Sequence, residues 1–113
     1  MLEKRVHQRK LMNASATLGA ADGGARYPVV MLDISRLGVS FIHTEKLGSG
    51  ASHFLDFRLP GSDMPLEAVV QVVHSTADGT VAGYRVGARF VYIAPETGDA
   101  IEAFMARLDF ASE

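Results

Sequence analysis

Hydrophobic and polar residues alternate with a period of two through most of the chain after Asn13. This period puts alternate side chains on opposite faces of an extended strand, so it is typical of half-buried antiparallel β-structure. Glycine-bearing segments interrupt the alternation and predict turns. Six short strands are expected, around residues 14–18, 27–34, 39–43, 54–59, 66–72 and 84–92.

Three details of this pattern give specific expectations. Residues 27–34 are almost continuously apolar, which predicts a strand that is covered on both faces or crosses the barrel core. Asp78-Gly79 predicts a hairpin before the last strand, because this dipeptide tolerates positive φ. In the last strand, one face is expected to lie in the core and carries Tyr84, Val86, Ala88, Phe90 and Tyr92.

A helical pattern closes the chain. Pro95 suits the first turn of a helix, and Glu96 and Asp99 complement its dipole. Apolar side chains then recur at helical spacing, at Ile101, Phe104, Met105 and Leu108. The order of elements predicts an all-β fold, a small closed or nearly closed barrel whose end or side is covered by a C-terminal α-helix.

Composition narrows the class of protein. A length of 113 residues with 48% apolar residues fits one globular domain, which we assign to residues 13–113. The chain has no cysteine, which excludes disulfides and thiolate chemistry and fits the cytoplasm. Its N-terminus lacks the apolar region of a signal peptide, and no apolar run is long enough to insert into a membrane.

Charge is distributed unevenly. The net charge is −2, yet Lys4, Arg5, Arg9 and Lys10 lie within seven residues and leave the rest of the chain acidic. An acidic body argues against binding of nucleic-acid polymers, whereas a basic arm suits a small phosphodiester anion. We expect residues 1–12 to form a mobile arm.

The first candidate motif is Arg5-Val6-His7-Gln8-Arg9 in this arm. Two arginines four residues apart are common and often form a solvated surface. Their guanidinium groups can nevertheless donate to phosphate or to guanine and can stack on purine rings.

The second candidate motif is Asp33-Ile34-Ser35-Arg36-Leu37-Gly38, between two predicted strands. One interpretation is a structural turn, in which short side chains bond to backbone amides and Gly38 takes a positive φ. In a functional interpretation, Asp33 accepts hydrogen bonds from the guanine N1–H and N2–H₂ edge, while Ser35 contacts phosphate or ribose. The two interpretations are compatible.

Together and in this order, the two motifs resemble the signature of the PilZ domain family. That signature is Arg-x-x-x-Arg followed about twenty to thirty residues later by Asp/Asn-x-Ser-x-x-Gly, as between Arg9 and Asp33 here. The resemblance extends over nearly the whole chain. It includes residues 69–73, the Gly87-Ala88-Arg89-Phe90 segment and the final helix.

The resemblance implies a six-stranded antiparallel β-barrel with a C-terminal helix and a non-enzymatic receptor for cyclic di-GMP. Arg5 and Arg9 would stack on guanine and bind phosphate, and Asp33, Ser35 and Gly38 would complete the site. Secondary candidates for the same ligand are Lys4, Lys10 and Arg36. The chain departs from the family pattern at two positions. Leu37 stands where a second glycine is common. Lys4 stands where an arginine often precedes the motif, and this second difference leaves open whether one ligand molecule or a stacked pair is bound.

By the same resemblance, ligand binding would change the conformation and regulate an unidentified protein partner in motility, biofilm formation or polysaccharide synthesis. No other cofactor is expected, and the chain would be a monomer or weak dimer. One alternative is a PilZ-like interaction module that does not bind nucleotide, as in pilus assembly. Another is a small barrel that binds single-stranded RNA, which the acidic body disfavours.

The four histidines give weaker indications. His7, His43, His53 and His74 show no metal-binding spacing, so no metal site is expected, and His74 is interpreted as a structural residue with satisfied hydrogen bonds. Ser35, His43 and Asp33 supply the residue types of a hydrolytic triad. They lack a nucleophile-elbow context, so we do not expect hydrolysis.

Overall fold

The chain forms a closed antiparallel β-barrel followed by one helix. The structure is a computed structural model that describes residues 9–77, 79 and 82–111, with side chains up to residue 107. Its elements are β1 (Lys10–Ala20), β2 (Arg26–Ile34), β3 (Gly38–His43), β4 (Ser52–Phe57), β5 (Leu66–Ala77), β6 (Tyr84–Ile93) and α1 (Pro95–Ala111).

The barrel closes through β1, which pairs with β2 on one side and β4 on the other. Leu18, for example, lies opposite Tyr27 of β2 and Leu55 of β4. Around the barrel the strands follow the order β1-β2-β3-β6-β5-β4. The predicted fold class, an antiparallel barrel with a C-terminal helix, is therefore confirmed.

The core fills the barrel with the inward-facing residues of all six strands. The largest fully buried strand residues are Leu18, Met31, Ile34, Val39, Phe41, Leu55, Val70, Val72 and Val86. In β1, β3 and β4 they alternate with more exposed neighbours along much of the strand, as a half-buried sheet requires.

Helix α1 covers the end of the barrel at which β1 begins. Ile101, Phe104 and Met105 are buried and belong to the same apolar cluster as the strand residues. The Thr97 hydroxyl donates to the Glu67 carbonyl at 3.3 Å, at the first residues of β5. The predicted start at Pro95 is confirmed.

Two predictions about strand faces are wrong. Of the two alternatives for β2, coverage on both sides is wrong, since Val30 is 40% exposed between buried Val29 and Met31. Tyr92 is 61% exposed because the pairing of β5 with β6 shifts between Val69 and Val70. Such a shift adds one residue to a strand and changes the face that its neighbours occupy.

Two element boundaries also differ from the sequence pattern. Strand β1 begins at Lys10, so the last three residues assigned to the arm lie in the barrel. The expected hairpin joins β5 to β6, with Ala77 opposite Tyr84. Its positive φ, 111°, lies at Gly83 rather than at Gly79, and Asp78 lies outside the described residues.

Two histidines lie at the barrel end far from α1. His43 is 3% exposed, and its Nδ1 accepts the Thr44 N–H at 2.9 Å. Among the described residues, His53 Nε2 is buried without a hydrogen-bond partner. Burial lowers the pKa of both imidazoles; a hydrogen bond to the Gly19 backbone partly offsets this for His53, as Glu45 does for His43.

These histidines predict a loss of stability in mild acid. The unfolded chain binds protons at the ordinary histidine pKa of about 6.5, whereas the folded chain binds them only at lower pH. The free energy of unfolding should therefore fall as pH decreases from about 6.5 to the lowered values, with no contribution above this window. Denaturant unfolding of the wild type and His53→Gln across this range measures the slope, which should be smaller in the variant. Above about pH 7, outside this window, the wild type and His53→Gln should have the same slope, which is the control.

Candidate functional site

The register between β1 and β2 brings the two sequence motifs together. Because Lys10 lies opposite Ile34 and Leu11 opposite Asp33, Arg9 is placed beside the end of β2. Arg9 Nη1 donates to Asp33 Oδ1 at 2.7 Å. The Asp33 side chain is 12% exposed, whereas that of Arg9 is 45% exposed, so the guanidinium group pairs with a largely buried carboxylate and still faces solvent.

The second motif forms a tight turn built by Ser35. Its hydroxyl oxygen accepts the N–H groups of Leu37 and Gly38, both at 3.2 Å, and lies 3.4 Å from the Gly38 carbonyl. The Ser35 N–H donates to the same carbonyl at 2.9 Å. Ser35 is only 3% exposed, so the structural interpretation of this residue holds.

Gly38 is required for a reason that differs from the expected one. It does not have a positive φ. A Cβ at this position would lie 2.2 Å from the Ala88 carbonyl oxygen and 3.0 Å from the Arg89 Cα. The Phe90 N–H donates to the Leu37 carbonyl at 2.8 Å and fixes the turn against β6. Glycine thus permits the close approach of the turn to β6.

A shallow cavity of about 260 Å³ extends from this turn over the outer surface of β5 and β6. The motif residues Arg9, Ser35, Leu37 and Gly38 line one part of it. The rest is lined by Val73, His74, Gly87, Ala88 and Arg89. The structure therefore brings Arg9, Ser35 and Gly38 to a common cavity, with Asp33 as the partner of Arg9.

Arg89 gives this cavity a second fixed cation. Its Nε and Nη2 both donate to Gln71 Oε1, at 3.0 and 2.7 Å. Arg89 lies directly opposite Gly38 in the pairing of β3 with β6. With Arg9, it makes the described surroundings of the cavity suitable for an anion.

The secondary candidates that can be described point toward α1. Lys10 Nζ lies 4.0 Å from the Phe104 ring centroid and donates to the Phe104 carbonyl at 3.4 Å. Arg36 Nε donates to Glu102 at 2.8 Å. Neither side chain lines the cavity. Lys4 and Arg5 lie outside the described residues.

Sequence reasoning missed the contribution of β5 and β6 to the cavity. The interpretation of His74 as a satisfied structural residue is wrong, since its side chain is exposed and makes no hydrogen bond to another described residue. Gly87 and Arg89 alternate with the β6 residues that were expected in the core, so the sequence pattern is consistent with their position on the other face. Only the pairing of β6 with β3 puts that face beside the signature turn.

Other kinds of site find no support in the described part of the chain. No group of three or more His, Cys, Asp or Glu side chains there is arranged to hold a metal. His43 pairs with Tyr84 at the barrel end opposite the turn, so it is remote from Ser35 and Asp33. No helix in residues 9–77, 79 and 82–111 is long and apolar enough to cross a membrane.

Comparison with known families identifies the fold. A sequence model of the PilZ domain matches residues 3–107. The chain belongs to the PilZ domain family. PilZ domains are non-catalytic binding modules, which agrees with the expectation that this chain is not an enzyme.

Solved structures show the same fold at low identity. The chain resembles the Bacillus subtilis inhibitor of motility MotI/DgrA (TM-score 0.78, 17% identity, 93% of this chain and 51% of the other). It also resembles MrkH of K. pneumonia in a complex with c-di-GMP (TM-score 0.71, 16% identity, 94% of this chain and 52% of the other). A third similar structure is the PilZ domain of Escherichia coli YcgR with c-di-GMP (TM-score 0.69, 16% identity, 94% of this chain and 92% of the other).

The chain thus spans about half the length of the first two of these proteins. No protein with a curated description matches the sequence significantly.

The close approach at Gly38 gives a stability prediction. Gly38→Ala should lower the free energy of unfolding by about 1–3 kcal/mol, because the methyl group forces the turn away from β6. The matched control is Gly48→Ala, since Gly48 lacks a positive φ and has no atom within 4 Å of the added methyl. Denaturant unfolding of both variants measures the difference. Equal stabilities would contradict the assigned role of Gly38.

Proposed function

We propose that this chain is a cytoplasmic receptor for cyclic di-GMP, which binds the dinucleotide between the arginine arm and the Ser35–Gly38 turn. The observation that carries the proposal is the Arg9–Asp33 contact at 2.7 Å beside a cavity lined by Arg9, Ser35 and Gly38. Two motifs separated by a whole hairpin in sequence meet at one place on the barrel surface.

The comparisons support the identity of the ligand. MrkH and the YcgR PilZ domain are described as complexes with c-di-GMP, and both share the fold of this chain. The family model covers both motifs, since it extends from residue 3 to residue 107.

In this proposal each motif residue has a distinct role. The exposed donors of Arg9, and those of Arg5, bind phosphate or stack on guanine. Asp33 holds Arg9 in place and supplies a carboxylate that can accept from the Watson–Crick edge of guanine. Ser35 shapes the turn, and Gly38 brings its backbone close to β6, so both contribute mainly through geometry.

The signalling step in this proposal is an ordering of the arm. A dianionic ligand neutralises the basic residues 4–10 and holds them against the barrel, which creates or hides a surface for a protein partner. The partner and its output in motility, biofilm formation or polysaccharide synthesis are part of the same proposal.

Loss of a motif arginine should weaken ligand binding. A hydrogen bond to a charged group contributes about 1.5–3 kcal/mol, so Arg9→Ala and Arg5→Ala should each raise the Kd on the order of ten- to a hundredfold or more. Isothermal calorimetry with cyclic di-GMP measures this change and also gives one or two ligands per chain.

The control for these variants is Arg58→Ala, which removes an exposed arginine that lines a separate groove near Asp56 and Glu67. It should bind as the wild type does. Unchanged affinity in both Arg5→Ala and Arg9→Ala would refute the receptor proposal and favour an interaction module without nucleotide.

Ordering of the arm predicts protection from trypsin. The segment before β1 offers cleavage sites after Lys4, Arg5 and Arg9. Saturating cyclic di-GMP should slow cleavage at these sites, measured by mass spectrometry, whereas cyclic di-AMP at the same concentration should have little effect. Equal cleavage rates with and without cyclic di-GMP, under conditions where calorimetry shows binding, would rule out the ordering step.

A further inference from the structure

A β-bulge in β5 turns two consecutive side chains to the outside of the barrel. The pairing with β6 shifts between Val72, opposite Ala88, and His74, opposite Gly87. Val73 and His74 are in consequence both exposed, although neighbouring residues of a regular strand face opposite sides. Both side chains line the cavity beside the signature turn. Bulges commonly re-aim a side chain next to a functional site.

Gly87 provides a flat seat for the His74 ring. A Cβ on Gly87 would lie 2.5 Å from Nε2, 2.7 Å from Cε1 and 3.1 Å from Cδ2 of that imidazole. Three ring atoms at such similar distances mean that one face of the ring lies across the Gly87 backbone. Any side chain larger than hydrogen at position 87 would displace the ring. Because His74 is exposed, its opposite face is open to the cavity.

The surroundings of this ring are better suited to one nucleobase lying on an open surface than to a ligand enclosed in a pocket. The cavity volume of about 260 Å³ is at the lower limit of pockets that enclose a whole small molecule. Leu37 and Val73 supply apolar contacts, while Arg9 and Arg89 supply cations on the same cavity. In nucleic-acid-binding proteins, an aromatic ring stacks on a base while neighbouring cationic side chains bind its phosphate.

We propose that His74, seated on Gly87, is a base-stacking platform for one guanine of the bound dinucleotide. This inference rests on the proposed function and adds a specificity-determining residue to it. The contact is made by the face of the imidazole. Its nitrogen atoms are not required, since the ring makes no hydrogen bond within the described part of the chain.

The test compares His74→Ala with His74→Phe, using cyclic di-GMP as the probe and calorimetry as the measurement. Removal of the ring should raise the Kd about tenfold, the usual effect of losing one base–aromatic contact. His74→Phe keeps an aromatic face and should stay within about threefold of the wild type. In NMR spectra of the wild type, the His74 ring protons should shift upfield on ligand addition because of the ring current of the stacked base.

The outcomes separate this inference from the receptor proposal. If the wild type binds and His74→Ala binds equally well, the platform is refuted and the receptor proposal stands. If both variants lose affinity equally, the imidazole nitrogens rather than its face make the contact, and the platform is also refuted. If the wild type does not bind cyclic di-GMP, both proposals fail. Thr76→Ala, at an exposed position of the same strand, is the control and should bind as the wild type does.

Gly87→Ala tests the seat itself. The added methyl collides with the ring, so this variant should lose affinity to a similar extent as His74→Ala, without an additive loss in the double variant. A thermal melt identifies any general loss of folding. The His74 variants, at an exposed position, decide the question if Gly87→Ala does not fold.

Discussion

The pairing of β1 with two strands at once is the constraint on which the rest of the molecule depends. It closes the sheet, so the apolar residues of all six strands face one interior and no described strand has an unpaired long edge. The same pairing fixes the register of β1 against β2. Since Lys10 lies opposite Ile34, Arg9, which precedes β1, lies close to Asp33 near the end of β2. The Arg9–Asp33 contact thus follows from the pairing of β1 with β2.

The signature turn is a small backbone feature that supports the fold and, in the proposed receptor, also shapes the binding site. Ser35 uses its hydroxyl group within the turn, and Gly38 allows β3 to begin against the backbone of β6. Hydrogen bonds within the turn thus define its shape without a ligand, and a preformed shape lowers the entropic cost of binding. The residues next to Arg9 and Ser35 also contact α1, through Lys10 with Phe104 and Arg36 with Glu102. These contacts link the site to the element that covers the barrel end.

Much of this architecture was predictable from sequence because alternation and turn residues are local signals. The six strands, the helix start at Pro95 and the two motifs are all readable in short windows. The exposed position of Tyr92 was not, because it depends on a bulge that only strand pairing reveals. The reason for glycine at position 38 was hidden likewise, since the colliding atom belongs to Ala88, fifty residues away. The position of His74 in the cavity was not predictable either. It depends on the bulge in β5 and on the pairing of β6 with β3.

The closed sheet limits how this protein can communicate with others. Many signalling modules recruit an extended peptide by adding it as a strand to an exposed sheet edge. Among the described strands, each already has two neighbours, so no row of free backbone donors and acceptors is available for such a peptide. A partner must instead recognise side chains, on the barrel wall, the connecting turns or the outer face of α1. Surface substitutions can change such side-chain recognition, and with it the choice of partner. The fold and the signature turn do not have to change.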